Sequence, residues 1–342
     1  MSDASRGSPA AWSVRALATA LLAALAFTLA ATCVRPAHAA PVAVAPDVLV
    51  ERDTFAAGEQ PDGNSVLFAG PRGLVVFDTG RHVAHTRALV DYAAARGTPV
   101  VAVVNSHWHL DHLGGNAWLR GQARGATFYA SEAVEPALHG WLADSRRDMQ
   151  AMLDAPEDQR PDAATQAMLR IDIALIDQGA ALLPDVVVRG ARTLDANGRA
   201  LRIGHEGPSA TAADLWVFDP AARVLASGDL VTLPAPFLDT ACAPGWRAAL
   251  AHLDAQPFDT LVPGHGAPMS RADFVRWRHA FEGLLDCAAS DATTASCSAG
   301  WVRDLGPLLA EDQRAKAVRM TTWYLDQHLR AAPERRDRFC RS

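Results

Sequence analysis

Lysine is all but absent from this chain. Of its 32 basic residues Lys316 is the single lysine and the rest are arginines, a skew we read as codon bias with no chemistry attached. Also missing is any Lys/Arg cluster with interleaved aromatics, and with a formal net charge of −6 that argues against a nucleic-acid face. No internal repeat and no low-complexity linker divides the chain. The apolar run from Ala16 to Ala31 is too short to span a bilayer comfortably. Cysteine is scarce, five in 342 residues. None of those beyond Cys33 sits beside a His or another Cys at ligand spacing, which argues against a zinc knuckle or a catalytic thiol.

What is present begins with a targeting segment. Arg6 and Arg15 precede the short apolar run, and Ala37-His38-Ala39 offers a small-x-small cleavage site before Ala40. Residues 1–39 therefore read as a signal peptide, with a periplasmic or secreted protein and no stable membrane span after cleavage. An uncleaved anchor helix is the alternative, and a lipid-anchored Cys33 is disfavoured because Ala-Ala-Thr-Cys lacks the expected upstream Leu. Cleavage leaves Cys242, Cys287, Cys297 and Cys340, an even count that suggests two disulfides in an oxidising compartment. Of three pairings, the short loop favours Cys287 with Cys297 and leaves Cys242 for Cys340. A hydrophobic fraction of 49% is that of an ordinary globular protein, one domain with short appendages.

The stretch Asn105-Ser106-His107-Trp108-His109-Leu110-Asp111-His112-Leu113-Gly114-Gly115-Asn116 organises the rest. Three imidazoles and a carboxylate within six residues make sense mainly as metal ligands, and this donor set suits zinc, with Fe(II) and Mn(II) as weaker candidates. Residues 107, 109, 111 and 112 would scatter around a helix, so an irregular loop is required to turn them toward one centre. That loop follows the apolar run Val100 to Val104, which reads as a buried strand, and closes on a Gly pair.

SHWHLDHLGGN resembles the metal loop of the metallo-β-lactamase superfamily, whose signature is His-x-His-x-Asp-His after a core strand. The resemblance implies an α/β (α+β) fold, a four-layer αββα sandwich with metal at the sheet edge and further ligands far downstream. In the family's order, Gly228-Asp229 matches the carboxylate that bridges two metals, expected at a strand end, and Pro263-Gly264-His265-Gly266 matches the final His ligand. Asp78-Thr79-Gly80 matches a turn that supports the metal loop by hydrogen bonds; as a plain turn it needs no such role. The implied ligands are His107, His109, Asp111, His112, Asp229 and His265, with Asp111 as the catalytic carboxylate.

In chain order, Asn64 to Phe68 and Leu74 to Phe77 read as a hairpin of core strands. A helix to about Arg96 follows, stopped by Gly97, with His82 and His85 as surface histidines. Residues 131–183 show apolar residues at helical spacing around the polar loop 156–162, predicting two inserted helices. A lid over substrate is the functional reading, and core packing is favoured for the methionines. Val186 to Val188, Thr193-Leu194, the Asn197-Gly198 turn and Ala200 to Ile203 read as a meander. Strands follow at Leu215 to Phe218, Val224 to Ala226 and Thr260 to Val262, with a helix from Trp246 to Leu253 between the last two. Helices over 270–288 and 311–329, with the Cys287 to Cys297 loop between them, predict a tail on the outer face of the second sheet, with no chemistry assigned. The expected organisation is thus 1–39 signal, 40–282 metallo-β-lactamase-fold domain and 283–342 helical extension.

One position breaks the family pattern. The superfamily supplies another His in a Gly-x-x-His-Thr-x-x-Asp context, and here Gly207 to Asp214 carries Ala210 in its place. His205 lies five residues earlier, and strand direction favours a satisfied or solvent-facing ring over a substitute ligand. One metal position keeps Asp111, His112, His265 and the shared Asp229; the other keeps His107, His109 and Asp229, still the three-ligand count of a catalytic zinc. The expectation is one tight zinc and a looser second, with Ala210→His raising metal stoichiometry.

Zinc lowers the pKa of its bound water from about 15.7 to about 7, so hydrolysis of an amide, ester or similar bond of a small-molecule substrate is the expected reaction. A β-lactamase proper is one alternative, although lactamases carry Cys or Ser where this chain has the Gly-Asp bridge. Glutathione-type thioesterases and persulfide dioxygenases are disfavoured. The other alternative, motivated by Ala210, is a non-catalytic periplasmic metal-binding or accessory protein with a protein partner.

Overall fold

Strands that are apolar along their whole length need a neighbour on each face. The computed structural model describes residues 40–54 and 60–340, and it provides such neighbours in two stacked sheets. The first sheet runs in sequence order through β1 (Val42–Ala45), β2 (Val48–Glu51), β3 (Ser65–Gly70), β4 (Gly73–Phe77), β5 (Val100–Val104), β6 (Thr127–Ser131) and β7 (Val186–Val188). Its early strands pair antiparallel and β4 to β7 pair in parallel. Parallel neighbours require crossovers. These are α1 (Val83–Ala95), then α2 (Leu110–Leu113) and α3 (Asn116–Gln122), then α4 (Val134–His139), α5 (Trp141–Asp154) and α6 (Ala163–Ile176).

The second sheet holds β8 (Arg192–Leu194), β9 (Leu201–Glu206), β10 (Asp214–Asp219), β11 (Val224–Thr232), β12 (Thr260–His265) and β13 (Met269–Ser270), in the order β13-β12-β11-β10-β9-β8. Helix α7 (Ala243–Asp254) joins β11 to β12, and α8 (Arg271–Ala288), α9 (Thr294–Leu305), α10 (Glu311–Tyr324) and the short α11 (Pro333–Arg336) form the C-terminal region.

Side-chain alternation assigns the layers. From β4, Val75 and Phe77 enter the cluster between the sheets while Leu74 and Val76 face α1 and α3. From β10, Leu215 and Val217 point between the sheets while Trp216 and Phe218 join the helices on the far side. The result is the four-layer αββα sandwich. The C-terminal helices do pack on the outer face of the second sheet, and three fully buried tryptophans grip the exit of β11. Trp246 of α7, Trp277 of α8 and Trp301 of α9 donate their indole N–H groups to the carbonyls of Leu230 (3.0 Å), Thr232 (2.9 Å) and Pro234 (2.9 Å). Helices far along the chain thereby fix the segment that follows Asp229.

Several local expectations are corrected. Val186 to Val188 does not belong to a meander: it pairs in parallel with β6 at the edge of the first sheet, and only β8 and β9 meet through the Asn197-Gly198 turn, with Gly198 at φ +85°. The insertion has three helices, because Gly140 interrupts the periodic run with non-helical angles (φ −108°, ψ −99°). Met152 is 52% exposed, outside the core. The tail has an extra helix, α9, which carries Cys297 and is capped by the Thr293 side chain, so the stretch between the two cysteines is shorter than a free loop. Asp229 lies inside β11 rather than at its end, because a bulge at Gly228 (φ +53°) lets pairing continue to Thr232. The signal-peptide reading falls on residues 1–39, outside the described residues. Among the described residues no helix is long and apolar enough to cross a membrane. Both cysteine pairs lie at bonding distance, Cys242 with Cys340 (2.14 Å) and Cys287 with Cys297 (1.97 Å).

At the end of β2, burial and the nearby Asp62 charge push the Glu51 carboxyl from 4.5 up to about 7. A raised acid favours the fold only while protonated, so this contribution is complete below about pH 4.5 and lost as pH rises through 7. Glu51→Gln should therefore stabilise the protein at pH 8 by about 2 kcal/mol, the full conversion of about 3 kcal/mol being reduced by solvent screening, and leave it unchanged at pH 4. Thermal melts at the two pH values check this, and an equal shift at both contradicts it.

Candidate metal centre

The centre is built from the end of β4. There Asp78 adopts φ +62°, a conformation Asp tolerates better than most residues, and its fully buried carboxylate turns beneath the β5–α2 loop. Oδ1 accepts the Ser106 backbone N–H (2.7 Å), while Oδ2 accepts the Ser106 hydroxyl (2.7 Å) and His112 Nδ1–H (2.8 Å). His112 is left with Nε2 directed inward. Having donated its one proton to Asp78, Ser106 Oγ accepts from His107 Nδ1 (2.9 Å), which leaves Nε2 of that ring as its lone-pair nitrogen. The loop is less irregular than its sequence implies: His107 and His109 come off non-helical backbone, whereas Asp111 and His112 project from the single turn of α2.

From the other half of the chain, β11 delivers Asp229 and β12 delivers His265. His112 Nε2 lies 3.3 Å and His265 Nε2 3.7 Å from Asp229 Oδ1, and His107 Nε2 lies 3.9 Å from Asp229 Oδ2. Asp111 Oδ2 lies 3.1 Å from His265 Nε2 and 3.8 Å from His112 Nε2. Two groups of ligand atoms result, His107, His109 and Asp229 on one side and Asp111, His112 and His265 on the other, each within 4.8 Å. Gly264 makes the approach possible, since a Cβ there would sit 2.0 Å from Asp229 Oδ1. Asn64 fastens the β12 turn to the first half of the chain, donating Nδ2 to the carbonyls of Pro263 (2.8 Å) and Gly266 (2.9 Å). The same order of ligands along the chain marks a known family, and the sequence profile described as the metallo-beta-lactamase superfamily matches residues 59–265, more than half of the chain.

The protein belongs to the metallo-beta-lactamase superfamily.

Solved superfamily structures share the fold. The DIM-1 metallo-beta-lactamase aligns with a TM-score of 0.52 at 16% identity, over 71% of this chain and 96% of that one. A metallo-beta-lactamase from Pontibacter korlensis aligns at 0.52 and 20% identity, over 71% and 98%. The stereoselective inverting sec-alkylsulfatase Pisa1 from Pseudomonas sp. aligns at 0.53 and 19% identity, over 83% of this chain but 50% of that one. No curated protein matches the chain.

As in any superfamily centre, the donors must suit a cation, and here their chemistry does. His107 Nε2, His112 Nε2 and Asp229 Oδ1 are buried with no hydrogen-bond partner, an arrangement that is costly unless something else satisfies them. Burial, reinforced by His112 and His109, holds His107 well below the ordinary histidine range, and burial above all brings His109 down to about 4. Burial opposes charge on His112 and His265 too, but the carboxylates of Asp229 and Asp111 outweigh it and raise both. Against the same desolvation, His112 leads the groups that hold Asp111 and Asp229 low. Burial thus favours the neutral form of His107 and His109, while the two carboxylates draw positive charge toward the centre.

Ala210 is buried, and its loop keeps shape without the superfamily's imidazole because Asp214 Oδ2 accepts the Ser209 hydroxyl (2.6 Å) and the Thr211 N–H (2.8 Å). His205 does not replace it. Its Nε2 meets the Glu132 carboxylate at 3.0 Å, and it belongs to neither ligand group.

His82 and His85 are not surface histidines. His82 holds Asp62 through both Nδ1 (2.9 Å) and its backbone N–H (2.8 Å), while His85 is fully buried against the Ser65 hydroxyl (2.8 Å). Their partners precede them by twenty residues, beyond the reach of a helical-spacing argument. Although burial raises an acid, the His82 hydrogen bonds and the His85 charge lower Asp62 to about 2. Asp62 in turn anchors the Arg81 backbone (2.6 Å).

Above the centre lies a cavity of about 480 Å³. Its floor is His109, Asp111, Asp229 and His265, its walls include Trp108 and Phe237, and its roof comes from Trp141 and Met149 of α5 and Ile176 of α6. Arg81 lines it as well, ion-paired with Asp172 of α6 and 3.9 Å from Asp111 Oδ1. Lys316, Met320 and Tyr324 of α10 close one side, so the helical tail, to which the sequence assigned no chemistry, reaches the pocket. Burial and the Asp239 charge push the Tyr324 phenol far up, keeping it a neutral donor. Nothing in the spacing around Arg81, Lys316 or Tyr324 marks them, since only the fold brings them to the metal loop.

Proposed function

We propose that this chain is an exported zinc-dependent hydrolase acting on an amide, ester or similar bond of a small molecule with an apolar body. The observation that carries the reading is the placement of Asp229: its buried carboxylate lies between His107 on one side and His112 and His265 on the other, with Oδ1 making no hydrogen bond. Asp111, His112 and His265 with Asp229 would hold one ion tightly. His107, His109 and Asp229 would hold a second more loosely. A divalent ion held by these residues would supply Lewis-acid polarisation of the scissile group and an acidified water at neutral pH.

The chain's own residues do the rest. Asp111, kept ionised, would serve as a ligand and as the hydrogen-bond acceptor that orients the attacking water, and Arg81, paired with Asp172, steadies its second oxygen. Asp78 holds the His112 ring through Nδ1. Trp108, Trp141, Met149 and Phe237 exclude bulk water and favour an apolar substrate body, with α5 and α6 acting as the lid. The two cysteine pairs and the basic, apolar start of the chain support export.

Turnover of a panel of β-lactam, carboxylic ester, phosphodiester and secondary alkyl sulfate with added zinc tests the proposal. The wild type should cleave at least one member and Asp111→Ala should lose about a thousandfold. Ala210 is the one observation on the side of a non-catalytic accessory protein, and equal background rates in both proteins would establish that reading instead.

A further inference from the structure

Ser106 is not the only hydroxyl wedged against a ligand imidazole. Thr240 lies in the segment between β11 and α7, 1% exposed, with Oγ1 3.2 Å from the carbonyl oxygen of Ala210 and 3.1 Å from His109 Nε2. A hydroxyl has one proton to give. A carbonyl oxygen can only accept, so the proton goes to Ala210 and the hydroxyl oxygen takes Nε2–H from His109. A neutral imidazole protonated at Nε2 keeps its lone pair on Nδ1.

The surroundings hold this arrangement in place. Cys242 N–H donates to the Ser209 carbonyl (2.8 Å), tying the Thr240 segment to the loop that contains Ala210, and the Cys242 to Cys340 pair fixes it to the C-terminus. The His109 ring is packed edgewise by Trp108 (4.5 Å) and Phe237 (5.0 Å), so it has little freedom to flip. Thus the residue that replaces the superfamily's imidazole contributes a carbonyl that sets the tautomer of the neighbouring ligand.

We infer that Thr240 is a positioning residue that presents His109 Nδ1 to the looser ion, so that the His107, His109 and Asp229 position survives the loss of the imidazole at Ala210. This rests on the proposed metal reading, and it makes that position a retained site instead of a relic.

The test uses the mature protein stripped of metal and reloaded with zinc. Stoichiometry after dialysis and affinity by chelator competition are compared in the wild type, Thr240→Val and Thr240→Ser. Loss of such an outer contact weakens metal binding by about 10- to 100-fold. The expected result is two ions in the wild type, selective weakening of the looser one by that factor in Thr240→Val, and recovery in Thr240→Ser. Unchanged affinity in Thr240→Val, or a single ion in the wild type, overturns the inference while leaving the hydrolase proposal standing. A wild type that binds no zinc overturns the metal reading itself. Should Thr240→Val fail to fold, long-range nitrogen NMR of zinc-loaded wild type decides: His109 protonated at Nε2 supports the assignment, and protonation at Nδ1 refutes it.

Discussion

Asp229→Asn is expected to strip both ions from the protein and to lower turnover by about a thousandfold or more. The carboxylate is the one donor placed to serve both ligand groups, with distances of 3.3 Å to His112 Nε2 and 3.9 Å to His107 Nε2. The substitution keeps the shape beside Gly264, where a Cβ would already come within 2.0 Å, so the backbone path need not change. What it removes is negative charge. Against the cost of burial, Asp229 and Asp111 raise the affinity of His112 and His265 for a proton. A neutral amide removes that pull and leaves a bound cation short of a counter-charge among buried side chains. Metal content by mass spectrometry and turnover should fall together. This separates Asp229 from Thr240, whose loss touches one ion. Retention of two ions by Asp229→Asn would remove the basis of the hydrolase proposal.

Breaking the Cys242 to Cys340 link should cost the fold about 5 kcal/mol, against about 3 kcal/mol for Cys287 to Cys297, on the loop-entropy estimate. The difference follows from sequence separations of 98 and 10 residues. The longer closure also carries function, because Cys242 ends the segment with Phe237 and Thr240, and its release should loosen the weaker ion before the tighter one. Urea denaturation of Cys340→Ser and Cys297→Ser measures the ranking. A larger loss in Cys297→Ser would show that strain or residual unfolded structure dominates over loop length, and four free thiols by peptide mapping would end the disulfide assignment.

How much of the fold and the centre is legible in the sequence depends on where the interactions lie along the chain. The strand–loop unit from Val100 to His112 announces itself, because local chemistry compels the donors to cluster. Asp229 and His265 need the order of a family pattern to be picked out, since Gly-Asp and Gly-His-Gly are individually uninformative. Errors arise where a local rule meets a distant partner. His82 and His85 take the helix-surface assignment that their spacing invites, yet Asp62 and Ser65 hold them in a polar network, His85 fully buried and His82 partly so. Val186 to Val188 reads as the opening strand of the second sheet and instead completes the first.

By itself the sequence determined where most strands and helices lie and that residues 107–112 gather candidate donors, because apolar period and side-chain chemistry are properties of neighbouring residues; the four layers and the downstream donors followed from resemblance to a family. Only the tertiary structure decided that His205 pairs with Glu132, that Thr240 stands against His109, and that α10 supplies one wall of the pocket. Those outcomes depend on which atoms become neighbours when two sheets and their helices close together. A hydrogen bond reaches about 3 Å, and no one-dimensional spacing encodes a distance of that kind across a hundred residues.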